Sequence, residues 1–262
     1  MNMAKLLKIR LDHLLVQKGL AENASKARAH IMAGDVVVND HCIDKAGEKF
    51  APDVEIRLRK NSHPFVSRGG VKLEHAIKSW PSDILGAICL DVGASTGGFS
   101  EVLLNHGASL VYAVDVGYGQ LAHSLRIDQR IINLERTHIL NLKAEDLPKR
   151  PSIAVIDVSF ISVLKILPHV SSLLDDRAFI YVLIKPQFEA GREHVEKGGI
   201  VKDEEARMAA VDKVARLVVS LNFIVRGLAP SPILGAKGNV EYLLAAQRLT
   251  QPLEHFAKHG QL

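Results

Sequence analysis

Cysteine is scarce: only Cys42 and Cys89 occur in 262 residues, and they stand in no paired spacing. That excludes a disulfide-stapled scaffold and a cysteine-rich zinc site, and it reads as two reduced thiols in a cytoplasmic protein. The twelve histidines are scattered, and no metal is assigned. Long hydrophobic runs are missing too. The longest clean one, Ala178–Ile184, is closed by Arg177 and Lys185. It falls far short of the roughly 20 residues that a membrane helix needs. The stretch Met1–Lys8 has no long apolar core and no small-residue cleavage site, so no secretory signal is read there. The expectation is a protein without membrane association.

What is present suits a folded domain with a substantial core. Apolar residues make up 47% of the chain, and the length allows one large domain or a medium one beside a small one. The net charge of +4 is unevenly spread. Residues 1–80 hold fourteen Lys/Arg against nine Asp/Glu, whereas residues 81–262 hold nineteen against twenty. A small basic module beside a near-neutral larger one points to a polyanion-binding appendage on a catalytic body.

Residues 9–60 read as a compact unit. Leu11, Leu14 and Leu15 recur at helical spacing before Gly19, a C-cap glycine. Asn23 reads as the N-cap of a second helix that ends at Gly34. Asp35–Val38, the turn pair Asn39-Asp40 and strand-like pieces around Ile43 and 54–58 follow. The domain boundaries expected are 1–62 for this α+β unit, 63–86 for a linker with a helix over Leu73–Lys78, and 87–262 for the larger domain. There the chain takes up an α/β rhythm. Strands are expected at 88–94, 110–116, 131–135, 153–158 and 178–185, with helices at 97–106, 120–126, 162–174 and 203–220. Two final strands, near 222–229 and 240–248, follow without a helix between them. The fold class expected is therefore α/β, Rossmann-like, a mostly parallel seven-stranded sheet ending in an antiparallel pair.

The first strand of that domain runs into Asp91-Val-Gly-Ala-Ser-Thr-Gly-Gly98, and a helix starts near Phe99. Strand, glycine-rich turn and helix N-terminus bring backbone close to a ligand. A Cβ at the glycines would hold the ligand off or forbid the turn. The spacing is not a dinucleotide fingerprint, because Ser95 stands where the second glycine belongs. Nor is it a P-loop, since no Gly-Lys-Ser/Thr follows. The D-x-G-x-x-x-G spacing resembles motif I of S-adenosylmethionine enzymes, with Asp91 near the cofactor's cationic end. The cofactor-binding candidates are Asp91, Gly93, Ala94, Ser95, Thr96, Gly97, Gly98, Phe99, Asp115, Val116 and Asp157. Asp115, at the tip of the second strand, stands where ribose hydroxyls would be gripped. Asp157 and Lys185, at the tips of the fourth and fifth strands, stand where such sheets receive substrate.

With these residues in place the chain resembles the TlyA/hemolysin A family, the FtsJ-like ribosomal RNA methyltransferases. Six further blocks carry the resemblance: Arg10–Gly19 with Ile31–Asn39, Ser67–Leu73, Asp157–Ser162, Lys185–Glu189 and Gly238–Leu243. The first two resemble the alpha-L RNA-binding motif of ribosomal protein S-four type. Two positions there depart from the usual pattern: Asn23-Ala24 replaces Ser-Arg, and Asn39-Asp40 replaces Asn-Gly.

The resemblance implies transfer of a methyl group from S-adenosylmethionine to a ribose 2′-hydroxyl of ribosomal RNA, at a cytidine. It implies a Lys-Asp-Lys-Glu tetrad, which falls residue by residue on Lys72, Asp157, Lys185 and Glu241. The partners implied are ribosomal RNA and ribosomal subunits; oligomeric state is left open. RNA contacts are expected from Arg10, Lys26, Arg28, Arg57, Arg59, Lys60 and Arg68. Three alternatives stay open: a hemolysin, a ribosome binder with an inactive cofactor pocket, and a methyltransferase of small molecules or proteins. The first lacks a lytic helix, the second would not need the tetrad, and the third leaves the basic unit unexplained.

Overall fold

The computed structural model describes residues 8–32, 34–39, 41–58 and 63–249. Its contacts divide the chain into two units, one up to Arg68 and one from Gly69 onward.

The first unit runs β1 (Ile9–Arg10), α1 (Leu11–Gln17), α2 (Ala24–Met32), β2 (Val36–Val38), β3 (His41–Cys42), β4 (Lys49–Phe50) and β5 (Ile56–Leu58). Asn23 caps α2, its side chain accepting from the Lys26 amide at 2.9 Å. Gly19 and Gly34 stop the two helices in the left-handed region, at φ 69° and 75°. Strands pair in the order β3-β2-β5, with β1 on β4 as a separate two-stranded piece. Leu11, Leu15, Ala27, Ile31, Val36 and Val38 form the core. Asp40, Arg59 and Lys60 lie outside the described residues.

The second unit runs α3 (Gly69–Ser79), β6 (Ile88–Val92), α4 (Gly98–Asn105), β7 (Leu110–Val114), α5 (His123–Arg126), β8 (Ile131–Leu134), β9 (Ile153–Ile156), α6 (Val163–Leu173), β10 (Phe179–Ile184), α7 (Pro186–Glu189), α8 (Glu204–Ser220), β11 (Phe223–Pro230) and β12 (Tyr242–Arg248). The seven strands lie in the order β11-β12-β10-β9-β6-β7-β8. β6 through β10 pair in parallel, and β12 runs antiparallel to both β10 and β11. This is the fold class expected. β9 and β10 are buried along their whole length, as parallel strands covered on both faces must be.

Two of the expected helices differ in extent. The helix expected over 73–78 starts four residues earlier, because Gly69-Gly70 opens its first turn. The helix expected over 120–126 is only His123–Arg126, and the amides of Gln120 and Leu121 donate instead to the Glu135 carboxylate. Strand order reverses between β6 and β9, which are neighbours in the sheet but separated in sequence by β7 and β8. That reversal opens a crevice beyond the carboxyl ends of the central strands. No described helix is long and apolar enough to cross a membrane.

Candidate active site

β6 ends at the loop 93–97, whose backbone is left-handed at Gly93, Ser95 and Gly97, with φ of 87°, 50° and 95°. A Cβ on Gly93 would lie 2.3 Å from the carbonyl oxygen of Asp157. Here glycine lets two strand ends meet, rather than clearing space for a ligand. Gly97 is similarly enclosed, by Leu121 and Leu125. The loop is held to the second strand tip through Asp115. The amides of Ser95 and Gly117 donate to its two carboxylate oxygens at 2.8 and 2.7 Å.

Asp91 has no exposed surface. Ser100 donates to one oxygen at 2.6 Å, and the other has no hydrogen-bond partner among the described residues. Burial pushes this carboxyl up to about 7; the Ser100 bond opposes, and the charges of Asp157 and Asp115 push the same way. Phe99 and Thr96 are buried, as are Ala94 and Gly98, while Val116 stands exposed beside Asp115. Asp91, with an unpartnered oxygen, and Asp115 stand at neighbouring strand tips, an acidic pair that suits a cationic ligand. S-adenosylmethionine, with its sulfonium and ammonium groups, fits that chemistry.

Four further side chains assemble from distant positions. The Lys72 ammonium, on α3, donates to Glu241 Oε2 at 2.5 Å, 169 residues away and buried. The Lys185 ammonium stands 2.6 Å from Asp157 Oδ1 and donates to Ser159 Oγ at 2.9 Å. Burial works to raise the Asp157 carboxyl. The charges of Lys185 and Lys72, with the Lys185 bond, outweigh it and hold Asp157 below the usual carboxylate range. Lys72 thus acts on Asp157 as well as on Glu241, and the four groups form one cluster. The short helix that follows Lys185 is anchored too: Ser162 Oγ and the Val163 amide donate to Glu189, at 2.5 and 2.8 Å, tying α7 to the start of α6. Burial raises the Glu189 carboxyl, with those bonds opposing.

The basic candidates of the first unit are not bare cations. Arg10 pairs with buried Asp12 at 2.8 Å, Arg28 reaches the same carboxylate at 3.7 Å, and Lys26 pairs with Glu22 at 2.7 Å. The Arg10 bond leads in holding Asp12 below its ordinary value. Arg57 lies on β5, exposed, and Arg68 ends the unit.

Sequence reasoning missed three residues near the site. Phe160 is 93% exposed and left-handed, at φ 66°, a conformation that a bulky residue rarely adopts. Its ring lies 5.5 Å from that of Phe188. Tyr118 is exposed, with the Arg136 guanidinium stacked 3.9 Å from its ring centre. Asn239 is buried in the loop before β12. An exposed aromatic inside Asp157–Ser162 was the available signal for Phe160; burial of Asn239 had none.

Residues 65–248 match the FtsJ-like methyltransferase family, and residues 9–56 match the S4 domain. A Bacillus subtilis (strain 168) protein provisionally named rRNA methyltransferase YqxC is 46% identical over 90% of this chain and 85% of its own length. The 16S/23S rRNA (cytidine-2′-O)-methyltransferase TlyA of Mycobacterium tuberculosis (strain CDC 1551 / Oshkosh) is 42% identical over 90% of this chain and 88% of its own. A solved structure from Streptococcus thermophilus, described provisionally as a hemolysin, superimposes with a TM-score of 0.73. It is 41% identical and covers 94% of this chain and 90% of its own. With a parallel sheet, a glycine loop at its switch point and family matches across both units, the chain belongs to the FtsJ-like methyltransferases and carries an S4 domain at its N-terminal end.

Proposed function

We propose that this protein transfers a methyl group from S-adenosylmethionine to the 2′-hydroxyl of a cytidine ribose in ribosomal RNA, acting in the cytoplasm on ribosomal subunits. The observation that carries this reading is the convergence of the Lys72–Glu241 and Lys185–Asp157 pairs beside the loop after β6. Relatives named as rRNA (cytidine-2′-O)-methyltransferases support the choice of substrate.

The cofactor, when bound, supplies a methyl group on a sulfonium, already a reactive donor. The protein's task is alignment and control of charge on the attacking oxygen. An ammonium has three donors. Lys185 directs them to Asp157, to Ser159 and, in this reading, to the ribose oxygen, where it stabilises the negative charge left as the hydroxyl proton passes to water and the oxygen–methyl bond forms. Asp157 orients Lys185, and Ser159 fixes it from a second direction. Lys72 and Glu241 complete the charge balance. Asp91, without exposed surface, acts on the cofactor through its field, whereas Asp115 shapes the loop through the Ser95 amide and keeps lone pairs for ribose hydroxyls. Phe160 offers an apolar face to a nucleobase at the rim. In the first unit Arg10, Lys26, Arg28, Arg57, Arg59 and Lys60, with Arg68, hold RNA phosphates. Where these cations already pair with carboxylates, phosphate exchanges for the exposed partner or adds to it.

The test is transfer of labelled methyl groups from S-adenosylmethionine onto purified ribosomal subunits. RNA-associated label that depends on Lys185 is expected. Label found on protein or small molecules instead, or none on RNA, would overturn the reading.

A further inference from the structure

The loop joining β11 to β12 is closed at its base by the Ser231 amide donating to the Glu241 carbonyl at 2.8 Å. Inside it Gly235 and Asn239 face each other, the Gly235 amide donating to the Asn239 carbonyl at 2.8 Å. The Asn239 side chain bolts this loop to its neighbour. Its Nδ2 donates to the carbonyls of Gly199, at 2.8 Å, and Ala236, at 3.2 Å, and its Oδ1 accepts from the Val201 amide at 3.2 Å. The loop is therefore tied at both ends and across its middle, and it has little freedom to move away from what it touches.

What it touches is Glu241. A Cβ placed on Gly235 would lie 2.0 Å from Glu241 Oε1, 2.3 Å from Cδ and 3.0 Å from Cγ. Gly235 has φ −73° and ψ −167°, extended backbone open to any residue. Its need for glycine is thus a matter of space, not of conformation. Gly238, three residues on, is the reverse: it is left-handed at φ 85° with nothing within 4 Å of its missing Cβ. A clash with the end of a side chain is usually relieved by moving that side chain. Here the carboxylate is buried and bonded to Lys72, so it can move only by leaving that lysine.

We propose that Gly235 is a positioning residue for methyl transfer: its missing side chain is the space in which the Glu241 carboxylate lies against Lys72. The proposal rests on the reading of Lys72 and Glu241 as part of the reacting site. A methyl group at position 235 displaces the carboxylate, and the displacement passes through Lys72 to the charge balance around Asp157 and Lys185. Shortening Glu241 to aspartate removes Oε1, the atom that clashes most, and draws the carboxylate back by one carbon–carbon bond, which lessens the clash. The two substitutions, each harmful alone, therefore offset one another.

The experiment measures single-turnover methyl transfer at saturating RNA and S-adenosylmethionine, with cofactor affinity and melting temperature, for wild type, G235A, E241D, G235A/E241D and E241Q. G235A is expected to lose about a hundredfold in rate, the scale of a misplacement of about 1 Å, with cofactor affinity unchanged. E241D alone slows the reaction, yet added to G235A it raises the rate. G235A within twofold of wild type beside an inactive E241Q would overturn the proposal, as would losses that simply multiply in the double variant. A fully active E241Q would instead overturn the underlying reading of Glu241. Should G235A be too unstable for rate measurements, melting reads the same contact. G235A/E241A should recover stability that G235A/E241Q does not, and equal melting of the two would overturn the proposal.

Discussion

Lys185 and Asp157 project from the tips of adjacent parallel strands, β10 and β9, and meet at 2.6 Å. The lysines hold the Asp157 carboxyl below its ordinary range against the opposing effect of burial. In the proposed mechanism Lys185 is the group that meets the ribose oxygen, as a stabiliser of negative charge.

Removing that ammonium should abolish transfer without disturbing the cofactor. Lys185→Ala is expected to lose at least about a hundredfold in rate, the usual cost of one oxyanion-stabilising donor. Affinity for S-adenosylmethionine, measured by calorimetry, should stay near normal. Turnover equal to wild type would remove Lys185 from the mechanism.

Asp91 predicts a pH dependence. Its carboxyl, pushed up to about 7, is half protonated at neutrality in the free protein. A cationic ligand favours the ionised form, so affinity for S-adenosylmethionine should rise with pH through about 7 and then level off. Asp91→Asn should bind more weakly at high pH and lose the dependence. The same shift affects folding. The native state keeps a proton that the unfolded chain releases near its ordinary value of 3.8. Stability contributed by this group is therefore highest at low pH, falls as pH rises from about 4 to about 7, and is flat above. Titration of binding affinity and of melting temperature checks both. A binding curve flat from about pH 6 to 8 would show that Asp91 does not sense the cofactor.

Gly93→Ala should fail in folding. It combines a left-handed φ of 87° with a Cβ 2.3 Å from the Asp157 carbonyl, a backbone atom that cannot step aside. A loss of more than about 2 kcal/mol is expected, since strain and overpacking add. Thermal melting measures it; a wild-type melting temperature would show that the strand tips can separate at little cost.

Much of this architecture was legible in the sequence. Ile153–Ile156 and Phe179–Ile184 are continuous apolar runs that only doubly covered strands need, and Asp91–Gly98 marks a strand, a turn and a helix start in eight residues. Two-residue strands such as Ile9–Arg10 show no periodicity, so they could not be read. The pairing of Lys72 with Glu241 spans 169 positions and depends on tertiary closure. The resemblance implied a shared site but carried no distance. Nor could sequence show that Arg10 and Arg28 converge on one buried aspartate, Asp12, because composition counts cations without their partners.

Residues 63–262 alone should bind S-adenosylmethionine with near-native affinity yet methylate ribosomal RNA poorly, because most of the basic excess lies before them. Michaelis analysis should place the defect in RNA binding, with a steep salt dependence only in the full chain. Full activity from the shorter chain would remove the S4 unit from substrate capture.

The central claim is that the acceptor is a ribose 2′-oxygen. Methylation there removes the nucleophile that alkali uses to cleave the adjacent phosphodiester bond. Labelled RNA from a transfer reaction on ribosomal subunits, hydrolysed in alkali, should therefore give label in alkali-stable dinucleotides that carry a 2′-O-methylcytidine. Label released wholly as mononucleotides, with the methyl group on a base, would contradict it.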